Sequence, residues 1–194
     1  AKNNIHARID RKRKFPVTTL LKCLLSNSSL EYILDCEKNK IDPDPKKILG
    51  MTNQEILSTF YDNVLYKKCD FGWQFKENLA FYKGKILSFD ILDSNNGKIL
   101  ATKGTKLNQK RINEIKKKNI TNLAIEETSI IGFYLASDII DEKTGKIFYE
   151  AGFEIDEDFI QFVNSNKINK LDLLKVDNIE IGSYIRNTLQ LDKA

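Results

Sequence analysis

Apolar residues recur at helical intervals in the front third of this chain and at strand-like intervals, broken by glycine turns, in the rest. Leu20, Leu21, Leu24 and Leu25 predict a helix over Val17–Leu25 with those leucines buried. Pro16 stands at its start, where a fixed φ and a missing N–H suit the first turn. SLEYILDCEKN predicts a second helix, and IDPDPKK an extended proline loop in which Asp42 and Asp44 read as turn residues. Thr52-Asn-Gln-Glu55 is a capping-box pattern opening ILSTFYDNVL, where Ile56, Phe60 and Val64 recur every four residues. Residues 66–83 read as hairpin-like or irregular, with aromatics at Phe71, Trp73, Phe75, Phe81 and Tyr82.

The second half repeats itself at an offset of 48 residues, with Gly84–Ile125 lying over Gly132–Leu173 without a gap. Identities include Asp90/Asp138, Asp93/Asp141, Gly97/Gly145, Gly104/Gly152, Ile112/Ile160 and Leu123/Leu171. In each copy an apolar strand (Lys85–Leu92, Phe133–Ile140) meets an Asp-to-Gly turn, because Asp bonds its own backbone and Gly accepts positive φ. A short strand follows (Lys98–Ala101, Lys146–Tyr149), then a second glycine turn. Asn108 or Asp156 caps a helix next, and a last strand closes the copy near Asn122–Ile125 or Lys170–Leu173. The predicted fold class is α+β: a helical front region plus a two-copy β-turn-β-helix-β repeat module.

Charge is distributed unevenly over this pattern. The net charge of the whole chain is +4, yet residues 1–14 alone carry +5 through Lys2, Arg8, Arg11, Lys12, Arg13 and Lys14 against Asp10. The first repeat copy carries +6 and the second −5. QKRINEIKKK in one stands where DEDFIQFVNS stands in the other, which fits different partners for the two copies, or mutual attraction, or drift on solvated faces. Hydrophobic and charged contents of 41% and 30% are those of a globular protein, and no apolar run is long enough to span a bilayer. Three cysteines with no CxxC pair fit a reduced, cytoplasmic setting. The lack of an initiator Met suggests a piece of something longer.

Catalytic chemistry finds little support. His6 is the sole histidine and reads as an ordinary surface residue. There is no zinc-ligand spacing and no GxxxxGK[ST], GxGxxG or GxSxG motif. Asp93…Gly97 and Asp141…Gly145 lack the acidic run and closing Glu of a calcium loop and read as turns. What stands out is RIDRKRK, where Arg8, Arg11, Lys12, Arg13 and Lys14 could neutralise phosphates or an acidic surface, or simply be solvated. Asp10 is placed to pair with Arg8 or Arg11. No aromatics interleave there, so base stacking is not indicated.

HARIDRKRKFPVTTLLKCL resembles the segment of the bacterial RNA polymerase β subunit that reads Arg-Ile-Asp-Arg-(Arg/Lys)-Arg-Lys, a hydrophobe, Pro, then a leucine-rich helix. GMTNQEILSTFYDNVLYKK, FDILDSNNGK, SDIIDEKTGKIFYEAG and GSYIRNTLQLDKA fit the proteobacterial form in the same order, so the resemblance covers the whole chain. It departs at about Ser26–Leu49, where the family passes almost directly from one helix to the next.

The resemblance implies that residues 1–65 are part of a β-subunit lobe with an extra insertion at about 26–49. Residues 66–180 would be a lineage-specific insertion holding repeats 84–125 and 132–173, and 181–194 the return to the lobe. It implies a share in DNA-directed RNA synthesis, a nucleotidyltransfer, as DNA-channel lobe and factor-docking surface, with the isolated fragment inactive. No cofactor belongs to this stretch, since the family's Mg2+ is held by β′. Implied partners are the β′, α, ω and sigma subunits, DNA, and transcription factors on the insertion, with no membrane. Candidate DNA contacts are Arg8, Asp10, Arg11, Lys12, Arg13 and Lys14; of these, Asp10 and Arg11 match family positions close to nucleic acid. The rival reading is a free-standing repeat module that binds a protein partner.

Overall fold

A computed structural model describes residues 3–76, 79–117, 120, 122–141, 143–176 and 181–192. Lys2, Lys118, Glu142, Lys193 and Ala194, which belong to segments singled out above, lie outside the described residues. The architecture is α+β with antiparallel pairing, and the chain divides into two units. One unit comprises Ala1–Asp62, Ala136–Phe153 and Leu174–Ala194; the other comprises Asn63–Leu135 and Glu154–Leu173.

In the first unit, β1 (His6–Arg8) and β2 (Lys14–Pro16) form a hairpin that runs into α1 (Val17–Lys22). α1 is shorter than its leucine spacing predicts. The Cys23 and Leu24 amides donate to the Leu20 and Leu21 carbonyls in tight turns, and Leu25 then bridges Gly50. The buried position on α1 is Thr18, while Leu20, Leu24 and Leu25 are 49%, 51% and 41% exposed. The expectation of four buried leucines is therefore corrected: the helix stops before a second full turn can carry them inward. α2 (Asn27–Asn39) starts at Ser26, whose hydroxyl accepts from the Ser29 amide, and ends at Lys40 in the left-handed conformation.

The segment 26–49 is clasped at its two ends. Ser26 N–H donates to the Leu49 carbonyl at 3.0 Å, Met51 N–H to Leu24 at 2.9 Å, and Leu49 N–H to the Ser29 hydroxyl at 2.7 Å. The strands approach so closely at Gly50 that an added Cβ would fall 1.8 Å from the Lys22 carbonyl oxygen.

α3 (Asn53–Phe60) carries the capping box read from the sequence. The Glu55 amide donates to the Thr52 hydroxyl, and the Thr52 amide donates to the Glu55 carboxylate at 2.8 Å. Ile56 and Leu57 are fully buried, whereas Phe60 is half exposed and Val64 lies beyond the helix in a strand. α6 (Tyr184–Leu191) packs with α1 and α3, burying Ile185, Thr188 and Leu189. β8 (Ile139–Ile140) and β9 (Ile147–Tyr149) form a separate two-stranded sheet in this unit.

The second unit is built on a six-stranded sheet in the order β10-β3-β4-β7-β5-β6. Its strands are β3 (Asn63–Cys69), β4 (Gly72–Phe75), β5 (Ile91–Asp93), β6 (Ile99–Ala101), β7 (Leu123–Ile125) and β10 (Lys170–Leu174). The hairpin expected within 66–83 is β3–β4, with Tyr66 opposite Phe75 and Cys69 opposite Gly72. α4 (Gln109–Lys117) and α5 (Glu157–Ser165) bury Ile112 and Ile115, and Phe159 and Val163. Trp73 and Phe75 are buried with them, and Tyr66 lies 5.1 Å from Phe75 and 6.4 Å from Phe133 between ring centres.

Both long apolar strands are shorter than predicted. Leu87 still exchanges hydrogen bonds with Thr105 and Gly104, but at Lys103 the side chain of Asp90 takes the amide that a strand partner would otherwise accept. Only Ile91–Asp93 and Ile139–Ile140 remain as strands, with isolated bridges at Ile86–Lys106, Tyr134–Glu154 and Leu135–Leu173.

Three stability outcomes follow. Thr52→Ala should cost about 1 kcal/mol in chemical denaturation, the usual worth of a helix cap. The hydrogen bond from the Thr52 amide holds the Glu55 carboxyl below its ordinary value, against burial, with the Asn27 amide helping. A lowered folded pKa means stability present above the carboxylate range and lost as pH falls through it, so Glu55→Gln should destabilise at neutral pH and match the native chain in acid. Gly72 sits at φ +125 with an added Cβ 2.2 Å from the Ile125 carbonyl oxygen. Gly72→Ala should therefore lower stability by well over 1 kcal/mol in the same denaturation experiment.

Candidate nucleic-acid interface

The basic segment is a hairpin, not a loose arm. Strand pairing sets His6 opposite Pro16, Ala7 opposite Phe15 and Arg8 opposite Lys14. Its base is anchored from both sides: Val17 N–H donates to the Ile5 carbonyl at 3.1 Å, and Ile5 N–H to the Thr188 hydroxyl at 2.8 Å. Residues 9–13 form the tip.

Asp10 shapes that tip. Its Oδ1 accepts from the Lys12 and Arg13 amides, each at 2.7 Å, and these bonds hold its carboxyl below the ordinary value, Arg13 contributing most. The expected pairing of Asp10 with Arg8 or Arg11 is thus replaced by backbone capping. A carboxylate two or three residues before an amide reaches it with few rotamers to freeze, whereas a long guanidinium in water has many to lose. An Asp followed by four basic residues is a turn signal in its own right, and that signal was available in the sequence.

Arg8, Arg11, Lys12, Arg13 and Lys14 are all exposed, and among the described residues none of them forms an ion pair. Like charges facing each other across a ribbon repel, as Arg8 and Lys14 do here. The one carboxylate among them is committed to the backbone of the turn through Oδ1, with its negative charge left at the tip. The result is an anchored, cationic ribbon, without aromatics in its tip, suited to lying along an array of anionic oxygens.

Other chemistry-bearing residues have structural partners. Lys68 Nζ donates to Glu127 Oε1 and to Asn164 Oδ1 and lies 4.9 Å from the Trp73 ring centre. The Lys68 bond holds the Glu127 carboxyl down against burial. Asp93 and Asp141 accept from amides of their own turns, with Gly97 and Gly145 at φ +68 and +69. Asp44 caps the short helical turn Pro45–Lys47. Cys23, Cys36 and Cys69 are free thiols. No group of three metal-ligating side chains lies together among the described residues, and none of their helices is long and apolar enough to cross a membrane.

No protein-family model matches the chain. Among curated proteins it is similar over 193 residues, essentially the whole of this chain, to the DNA-directed RNA polymerase subunit beta of Sinorhizobium fredii at 39% identity. The subunits of the same name from Bartonella quintana and Rhizobium rhizogenes match over the same extent at 38% and 37%. The chain spans about 12% of the length of each of these relatives. Matched along its whole extent at such identities, the chain belongs to the RNA polymerase β-subunit family, as a segment of that subunit.

Proposed function

We propose that this segment serves DNA-dependent RNA synthesis as part of a cytoplasmic RNA polymerase, lining the DNA path with its cationic hairpin. The observation that carries the reading is the exposed ribbon of Arg8, Arg11, Lys12, Arg13 and Lys14 in a chain of β-subunit kinship. Phosphate contacts by such side chains position a protein on nucleic acid without reading sequence. Asp10 takes the part of shaping the turn that presents them. The nucleotidyl transfer belongs to the assembled enzyme with its β′, α, ω and sigma subunits, where the family's Mg2+ sits on β′ outside this stretch.

Residues 1–65 and 181–194 act in this reading as the lobe, and 66–180 as an insertion on it that offers a surface to transcription factors. The two-copy arrangement of 84–125 and 132–173 is part of the same proposal. In its favour, Gly84 donates to Leu107 and Gly132 to Ile155, Gly97 to Asp93 and Gly145 to Asp141, each pair one repeat period apart. Against a simple duplication of structure, β8 and β9 pair apart from the sheet that holds β5 and β6.

Changing Arg11, Lys12 and Arg13 to Ala in the assembled polymerase should make promoter complexes dissociate at lower salt. The slope of log affinity against log salt should fall by about 0.9 for each phosphate contact removed. An unchanged slope would show that the hairpin does not touch the backbone.

A further inference from the structure

We propose that the outer face of α4, with β6 and the turn joining them, is a second docking surface, fitted to the phosphate backbone of duplex nucleic acid. It lies in the sheet-based unit and rests on that unit's own charge and geometry, so it stands or falls independently of the hairpin.

Lys98, Lys103, Lys106, Lys110, Lys116 and Lys117 are exposed, and among the described residues none of them forms an ion pair. The acidic residues nearby are already engaged. Asp93 is buried and bonded within its turn, Asp90 accepts from the Lys103 amide, and Glu114 pairs with Arg111 at 3.3 Å. The burial of Ile112 and Ile115 turns Lys110 and Lys117, two helical turns apart, toward solvent.

The charge at the start of α4 works against the helix, while Lys116 and Lys117 in its last turn suit the dipole. Lys110 and Arg111 occupy its first turn, where the free amides and the macrodipole favour acids, and no acid is there. α5 shows the favourable alternative, with Asp156 as cap and Glu157 and Asp158 in the first turn. Cations at the helix start lower stability, and six exposed lysines without ion pairs add charge of one sign, so an anionic partner is the natural complement.

Between β6 and α4 lies a hollow of about 350 Å³ with an apolar side, Leu100 and Leu107 among it, and a polar side of Thr102, Lys106, Asn108 and Arg111, the last already bonded to Glu114 and to the Leu100 carbonyl. Hydroxyl, amide and cationic donors of this kind are those that contact phosphate and sugar oxygens. Lysine predominates over arginine, which favours phosphate as a point charge over bidentate pairing with protein carboxylates. No aromatic residue occurs from Lys98 to Lys117, so stacked single-stranded bases have no platform and the duplex backbone is the better fit.

The test measures binding of the 194-residue chain to a fluorescein-labelled 30-base-pair DNA of mixed sequence by anisotropy across a salt series. Lys106, Lys110, Lys116 and Lys117 are changed together to Gln, and thermal melting checks the fold. Should that variant melt early, the pair Lys110→Gln and Lys117→Gln is read instead. Affinity at low salt should drop at least tenfold for the four changes, and the log–log salt slope should fall by about 2 to 4. The Arg11, Lys12 and Arg13 to Ala variant, run alongside, should lose a separate share, and the losses should multiply on combination. Unchanged affinity and slope in a folded lysine variant overturn the proposal. So does displacement of the duplex by poly-glutamate as readily as by unlabelled duplex at equal charge, which would mark an acidic protein as the partner, or tighter binding of single strands.

Discussion

The carboxylate of Asp192 ties the first helix of the first unit to its last, and much of that unit's geometry depends on it. Its oxygens accept from the Thr18 hydroxyl at 2.7 Å and the Thr19 hydroxyl at 3.0 Å, and Lys22 Nζ stands 3.7 Å away. With its side chain only 2% exposed, the charge has to be fully hydrogen-bonded to be tolerated. That requirement fixes α6 against α1 residue by residue, where hydrophobic contact alone would allow sliding. One turn earlier on α6, Thr188 accepts from the Ile5 amide and so sets the base of the cationic hairpin. The interface is thus held in place by a buried polar contact made over more than 170 residues of sequence.

The same problem of joining distant segments recurs wherever the chain departs and returns. The Lys175 amide donates to the Asp62 carbonyl at 2.8 Å, closing the excursion that begins after α3. A smaller version closes 26–49, and there Glu55 serves twice, accepting from Thr52 at the start of α3 and from Asn27 at the start of α2. Loop closure costs grow slowly with length, so a few well-made bonds at the neck suffice for long and short excursions alike. Ser26 and Ser29 are buried because they serve the smaller neck, and Thr18 because it binds Asp192, not because they fill a hydrophobic core.

Local signals in the sequence foretold local structure well. The capping box at Thr52, the Asp-to-Gly turns at 93–97 and 141–145, and the helices carrying Ile112 and Phe159 stand where their spacing and caps place them. What depended on distant partners was not legible. Leucine periodicity at 20–25 could not reveal that a bridge to Gly50 ends the helix early, nor could the pattern of 85–92 reveal that Asp90 interrupts a ladder. At the basic segment the residue types were plain, but the ribbon was not, because its anchor is a threonine far along the chain. The spacing of Asp10 suits an arginine as well as its own turn, and the nearer, less costly bond to the turn wins.

Charge adds a further constraint on how these two units can be understood. A hairpin with Arg8 facing Lys14 and a helix with Lys110 and Arg111 in its first turn both accept repulsion that ordinary packing would avoid. The neutral alternatives are easy to make: one acidic residue in either place would relieve the strain of like charge, as α5 does at its own start. Each cationic element is also anchored, the hairpin through Thr188 and α4 through fully buried Ile112. Preorganised cations on a fixed scaffold lose little entropy when an anionic surface arrives, and the repulsion between them is relieved at that moment. Rigidity and unfavourable charge in the free chain therefore act in the same direction, toward binding.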